Sequence, residues 1–74
     1  MKDQLKIGKY KHYKGNYYEV LYLAKHSETL EDLVVYKPLY ESEFKIWVRP
    51  LKMFIEKIEI DGVHVQRFSF VSVD

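Results

Sequence analysis

Turn-forming residues punctuate this chain at short intervals and cut it into segments of strand length. Lys14-Gly15-Asn16, Pro38, Pro50 and Asp61-Gly62 are the main interruptions. Gly takes positive φ without steric cost and Asn tolerates it, while Asp-Gly is a strong signal for a two-residue hairpin. Neither Pro can donate to a sheet ladder, so each marks a strand edge or a strand end. The runs between are dense in Tyr, Val, Leu, Ile and Phe, residue types that favour strands.

In chain order, residues 1–7 read as a flexible lead-in. Tyr10 and His12 then alternate with Lys9 and Lys11, which predicts a strand ending near Tyr13. Tyr17 to His26 follows the Gly15 turn and completes a hairpin. Its rows are Tyr18, Val20, Tyr22, Ala24 and His26 against Tyr17, Glu19, Leu21, Leu23 and Lys25. The first row is expected to face inward because it carries no charge before His26. Ser27 to Asp32 breaks the alternation, and Thr29-Leu30-Glu31-Asp32 resembles a capping box, which supports a single helical turn. Leu33 to Tyr36 restarts a strand that finishes around Pro38-Leu39-Tyr40. Glu41-Ser42-Glu43 is a polar turn, and Phe44 to Arg49 is a further strand stopped by Pro50.

The segment after Pro50 fits two periods. Leu51, Phe54, Ile55 and Ile58 have helical spacing, whereas Phe54, Ile58 and Ile60 also fit one face of a strand. The Asp61-Gly62 hairpin needs a strand in front of it. The expectation is therefore one tight helical turn at Pro50–Met53, a strand from Phe54 to Ile60, and a partner strand from Val63 to Val71. The sum is a mainly β chain of five or six short antiparallel strands with one short helical turn. That order is the order of a small SH3-like barrel, spanning residues 8–71 as one domain with a tail at 72–74.

Composition limits what such a domain can do. It has 74 residues, near the lower size limit for independent folding. It has no Cys, so neither a disulfide nor a thiolate metal site is open to it, and a reducing, cytoplasmic location is expected. Seven Tyr, four Phe and one Trp supply large buried area per residue instead. Net charge is +1, which gives no strong pull toward nucleic acid or a membrane surface. The charges are unevenly placed: Lys2, Lys6, Lys9, Lys11 and Lys14 precede Gly15, while Glu28, Glu31, Asp32, Glu41 and Glu43 crowd the middle. No run is long and apolar enough to span a bilayer.

Several motifs then occur in a familiar order: Tyr10-Lys11-His12-Tyr13-Lys14-Gly15, Ala24-Lys25-His26-Ser27-Glu28-Thr29, Val34-Val35-Tyr36, Leu39-Tyr40, Trp47-Val48-Arg49-Pro50, Met53-Phe54 and Arg67-Phe68. The set resembles a family of short, mainly bacterial proteins, the domain of unknown function 1653, across residues 8–71. The resemblance implies a compact β-rich domain and no assigned activity.

The residues that invite a chemical reading begin at His26-Ser27-Glu28-Thr29. A hydrolytic triad of Ser27, His26 and Glu28 is disfavoured, because neighbours on a strand point to opposite faces and base and nucleophile must meet within hydrogen-bond reach. Ser27 and Thr29 hydroxyls are suited to tying a turn, and His26 to accepting or donating one structural bond. His12, His26 and His64 lack local metal-ligand spacing, so no metal and no cofactor are expected. Tyr13, Tyr36 and Trp47 with Arg49 form a second group, and His12 lies beside Tyr13. Planar rings near a guanidinium are suited to stacking on a base or a peptide. Arg49 interrupts an apolar run just before Pro50, where it is placed to pair with Glu28 or to hold an anionic ligand. The expected function is a non-catalytic module that recognises a small polar ligand, or a short peptide or nucleic-acid segment, through His12, Tyr13, His26, Ser27, Glu28, Thr29, Tyr36, Trp47 and Arg49. The alternatives are an enzyme or accessory domain using His26 and Glu28 for acid–base work, and a domain for protein–protein contact.

Overall fold

The structure, a computed structural model, describes residues 5–73. Positions 1–4 of the expected lead-in, and Asp74 of the expected tail, lie outside the described residues. The elements are β1 (Gly8–His12), β2 (Tyr17–Lys25), β3 (Asp32–Pro38), β4 (Trp47–Pro50), α1 (Leu51–Phe54), β5 (Lys57–Ile60), β6 (Val63–Gln66) and β7 (Phe68–Ser72). β4, β3, β2, β1 and β7 form one antiparallel sheet in that order, and β5 and β6 form a separate hairpin. The chain is mainly β, as its turn spacing indicates, with seven strands among the described residues where five or six were expected.

The sheet is rolled but does not close. β4 and β7 stand at its two edges and share no ladder. Four inter-strand steps of about 4.8 Å would hold the edges of a flat sheet roughly 19 Å apart. Yet the Arg49 guanidinium on β4 lies 5.6 Å from the Phe68 ring centroid on β7. The sheet therefore curls until its edges face each other across a seam. A closed SH3-like barrel is not formed, because β4 is only four residues long and Pro50 ends it before it can pair further.

Two bulges shape that curl. Along β2 the register advances two residues, Val20 to Tyr22, while β3 advances one, Tyr36 to Val35. Leu21 is the extra residue, and every side chain beyond it changes face. The expected inward row is therefore correct only up to Val20, which is fully buried opposite buried Tyr36. Tyr22, two residues on, is 67% exposed on the other face, and His26 is exposed as well. A second bulge leaves Val71 unpaired between Lys9–Ser72 and Tyr10–Phe70.

The core is small and largely aromatic: Tyr10, Val20, Val34, Tyr36, Phe54 and Phe68, with Leu5, Tyr18 and Leu51 packed against it. Phe54 is its centre. It stacks on Phe68 with centroids 4.0 Å apart and planes 2° from parallel, and meets Tyr10 and Tyr36 edge-on at 5.4 and 5.5 Å. Here the sequence expectation needs a second correction. Phe54 does not open a strand; it is the last residue of α1, and β5 begins at Lys57. Helical spacing prevails over Leu51–Phe54 because one turn after Pro50 points Phe54 under the curled sheet. The expected strand from Val63 to Val71 is likewise broken at Arg67, whose backbone N–H donates to the Glu56 carbonyl at 3.1 Å. β6 and β7 then belong to different sheets, and β7 runs through Ser72.

Candidate functional site

The residues singled out in the sequence fall into two groups. His26, Ser27, Glu28 and Thr29 lie in the exposed loop that joins β2 to β3. His12, Tyr13, Tyr36, Trp47 and Arg49 lie around the curled end of the sheet. Lys11, next to His12, pairs with Tyr17 at the start of β2, whereas His26 follows Lys25 at its end. Eight strand steps of about 3.3 Å put roughly 26 Å of β2 between His12 and the loop. Tyr36 and Arg49 stand nearer along the sheet, Tyr36 opposite Val20 and Arg49 opposite Val34, which itself lies opposite Leu23. Tyr36 is buried and holds Arg49 toward the core, whereas His26 is exposed, so the two groups do not form one face.

The β2–β3 loop is occupied with holding itself together. His26 Nδ1 accepts the backbone N–H groups of Glu28 and Thr29 at 3.1 and 3.3 Å. Thr29 Oγ1 accepts the Glu31 N–H at 3.2 Å, and the His26 carbonyl accepts the Leu30 N–H at 2.9 Å. Leu30 sits at φ 65°, and the Lys25–Asp32 ion pair closes the base of the loop at 2.7 Å. The side-chain bonds are the local Asx- and ST-like kind that fix a turn. With its Nδ1 lone pair engaged by two donors, His26 has only Nε2 left to offer. Arg49 does not reach Glu28.

Arg49 points instead into the seam. Its Nε donates to the Tyr36 hydroxyl at 3.3 Å, and its guanidinium carbon lies over Phe68. Tyr36 is 2% exposed, so this bond joins the cation to the core. Arg49 has no carboxylate partner among the described residues. Around it, Tyr18 meets Tyr36, Tyr40 and Phe68 edge-on, each with centroids 5.6 Å away, and shares a 3.0 Å hydrogen bond with the Tyr40 hydroxyl. Burial, above all, and then the bond to Tyr40 push the Tyr18 hydroxyl up to about 12. His12 packs on Phe68 at 4.9 Å and on Tyr13 at 4.5 Å, and its Nδ1 accepts the Lys14 N–H at 3.2 Å. Burial lowers the His12 pKa, and the positive charges of Arg49, Arg67 and Lys14 lower it further. Trp47 lies opposite Tyr36 in the β3–β4 register, and its indole N–H is taken by the Phe44 carbonyl at 3.0 Å.

Arg67 completes the site, and the sequence reading missed it as a site residue. It donates to Glu56 Oε1 at 3.3 Å, while its Nε is buried with no partner among the described residues. The signal that exposed Arg49, a guanidinium interrupting an apolar run, was present for Arg67 between Val65 and Phe68. Tyr18, Tyr40 and Phe68 were also missed, because on sequence they are indistinguishable from core. Among the described residues, the seam thus gathers two guanidiniums and one imidazole against one carboxylate, Glu56, with aromatic walls.

Across residues 8–70 the sequence matches the model of a protein family described as "Protein of unknown function (DUF1653)". The chain belongs to the DUF1653 family. A crystal structure of a DUF1653 protein from Bordetella bronchiseptica is similar at 35% sequence identity, with a TM-score of 0.85 over 92% of this chain and 88% of that one. No curated protein matches this chain. The DUF1653 match covers β1 through Phe70 in β7, so it includes every residue of the seam and of the β2–β3 loop. Among the described residues of this DUF1653 chain, no helix is long and apolar enough to cross a membrane.

Proposed function

We propose that this domain is a small binding module whose ligand is anionic and is held in the seam between β4 and β7. The observation that carries the reading is Arg49: a guanidinium anchored by Tyr36 and Phe68, with no carboxylate partner among the described residues. A partly buried cation with its fork unpaired favours a planar or tetrahedral oxyanion, which a guanidinium binds through two parallel bonds. The unpartnered Nε of Arg67 adds a donor that buried polar groups normally satisfy. His12 and the Tyr18–Tyr40 hydroxyl pair border the same space and set the shape of what enters. Carboxylate and phosphate share this chemistry. A Cys-free chain suits a reducing cytoplasm, where both are plentiful.

The test is nuclear magnetic resonance titration with inorganic phosphate and, separately, with acetate. A bound anion offsets the charges of Arg49 and Arg67, so the His12 pKa should rise on binding, and the Trp47 indole signal should move with it. Arg49→Gln should abolish both effects while the spectrum stays folded. Arg49→Lys, which keeps the charge and loses the fork, should weaken them. An unchanged His12 titration in the presence of either anion would remove the proposal.

A further inference from the structure

A second concavity lies on the other side of the aromatic core. It has a volume of about 250 Å³ and is lined by Leu5, Lys6, Tyr10, Phe54, Ile55, Gln66, Phe68 and Phe70. Its origin is local. The Val71 bulge re-aims the end of β7, so Phe70 leans out of the core and stands 39% exposed while its partner Tyr10 stays buried. Space opens between Phe70, α1 and the segment leading into β1.

The walls are chiefly aromatic. Tyr10 already meets Phe54 and Phe70 edge-on, both at 5.4 Å, so a further ring entering here finds partners of the same kind. The polar groups are few and can be accounted for. The Tyr10 hydroxyl is committed to the Lys6 carbonyl at 2.7 Å and is not free to direct a ligand. That leaves the Lys6 ammonium, which lies 5.0 Å from the Phe70 centroid and has no carboxylate partner among the described residues, and the exposed Gln66 amide. An apolar cavity of about 150 Å³ accommodates a benzene ring, so this one has room for a ring with one further small group. A cation and an amide beside an aromatic chamber select a group with negative charge and acceptor oxygens.

We infer that this concavity is a binding site for a single-ring aromatic carboxylate. The ring packs among Tyr10, Phe54, Phe68 and Phe70, and the carboxylate meets Lys6 and Gln66. The site is distinct from the Arg49 seam, with Phe68 contributing to both, and neither reading depends on the other.

Benzoate, cyclohexanecarboxylate and benzyl alcohol are the probes, read through the Ile55 methyl and the Phe70 and Tyr10 ring resonances. Benzoate should move these signals with ring-current signatures, and more strongly than cyclohexanecarboxylate. Lys6→Met keeps the aliphatic stem and should weaken benzoate about tenfold, the loss of a partly exposed charge pair, while leaving benzyl alcohol unchanged. Ile55→Trp should fill the mouth and abolish binding of all three. Arg49→Gln should leave the Ile55 and Phe70 shifts intact, which separates this site from the seam. The inference is overturned if benzoate moves only His12 and Trp47, or binds equally well to the parent, Lys6→Met and Ile55→Trp proteins. It is also overturned if none of the three probes moves Ile55 or Phe70 at millimolar concentration.

Discussion

Replacing Phe54 with Ala should unfold this domain. Phe54 is 1% exposed and touches three other aromatic rings, one of them face to face at 4.0 Å. Removing a buried Phe costs about 3–5 kcal/mol from lost transfer energy and the cavity left behind. A core in a chain this short rarely supplies more than about 3–5 kcal/mol in total. The two quantities cancel, so Phe54→Ala should be largely unfolded without denaturant. Phe54→Leu retains most of the volume and loses the ring pairs, each worth about 0.5–1.5 kcal/mol, for a cost of about 2 kcal/mol. With a urea slope of 1–3 kcal/mol per molar, that shifts the midpoint down by roughly 1 M. Ile55→Ala is the control: Ile55 is half exposed, and its loss should cost under about 1 kcal/mol. Urea titration followed by Trp47 fluorescence and near-ultraviolet circular dichroism reads all three. A Phe54→Ala protein with the parent midpoint, or an Ile55→Ala protein more damaged than Phe54→Ala, would show that α1 does not plug the sheet as described.

The pH dependence carries two further expectations. His12 has a lowered pKa in the fold, so the folded state binds fewer protons than the unfolded one below 6.5; stability should be full above that value and fall as pH drops, and His12→Gln should flatten the slope in urea midpoints measured across this range. Tyr18 is raised to about 12 from 10.0, so its contribution is intact below pH 10 and is lost as pH climbs toward 12; burial raises Tyr10 as well, so tyrosinate absorbance should show late titration from both, and Tyr40→Phe should move only the Tyr18 part earlier. Gly8→Ala should destabilise by more than about 1 kcal/mol in thermal melts, because φ is 142° and an added Cβ would stand 2.4 Å from the Ser72 carbonyl oxygen. His26→Ala should cost about 1 kcal/mol by leaving two turn N–H groups without their acceptor, and it should leave phosphate and acetate titrations of His12 unchanged.

Much of the strand pattern was legible because turns are written in local chemistry. Gly15 and Gly62 sit at φ 109° and 81°, in the two hairpins that their sequence context announced. Bulges are not written that way. Leu21 carries no Gly and no charge, and nothing in Tyr17–Lys25 distinguishes it from its neighbours. Its extra position appears only when β3 supplies the opposing register. The same holds for Phe54, which satisfied both a helical and a strand period. The choice was made by a non-local contact, the stack on Phe68 fourteen positions later, which no window around residue 54 contains. Arg49 was legible as an anomaly and illegible as to its partner, since Tyr36 and Glu28 are equally plausible acceptors until the sheet's curl is known.

The bulge at Leu21 also explains why the most conspicuous polar string ends up away from the seam. Without it, strict alternation would carry the core face from Tyr18 and Val20 through Tyr22 and Ala24 to His26, and the imidazole would finish an inward row. One inserted residue reverses that row, leaves Tyr22 and His26 exposed, and frees His26 Nδ1 to collect the N–H groups of the loop. Bulges also strengthen local twist and bend the strand that carries them. The bend falls where β2 passes beneath Tyr36, the ring whose hydroxyl holds Arg49 across the seam. Deleting Leu21 removes the extra residue and leaves Tyr22 opposite Val35 and Leu23 opposite Val34 in even register, so Tyr22 and His26 stay on the outer face while the local twist relaxes. The deletion should flatten the sheet and draw Arg49 away from Phe68 without disturbing the His26 loop. Loss of the phosphate and acetate effect on His12, with the Glu28 and Thr29 amides still bonded to His26, would be its signature. Persistence of the anion response in a folded Leu21 deletion would show that the seam does not depend on this bulge.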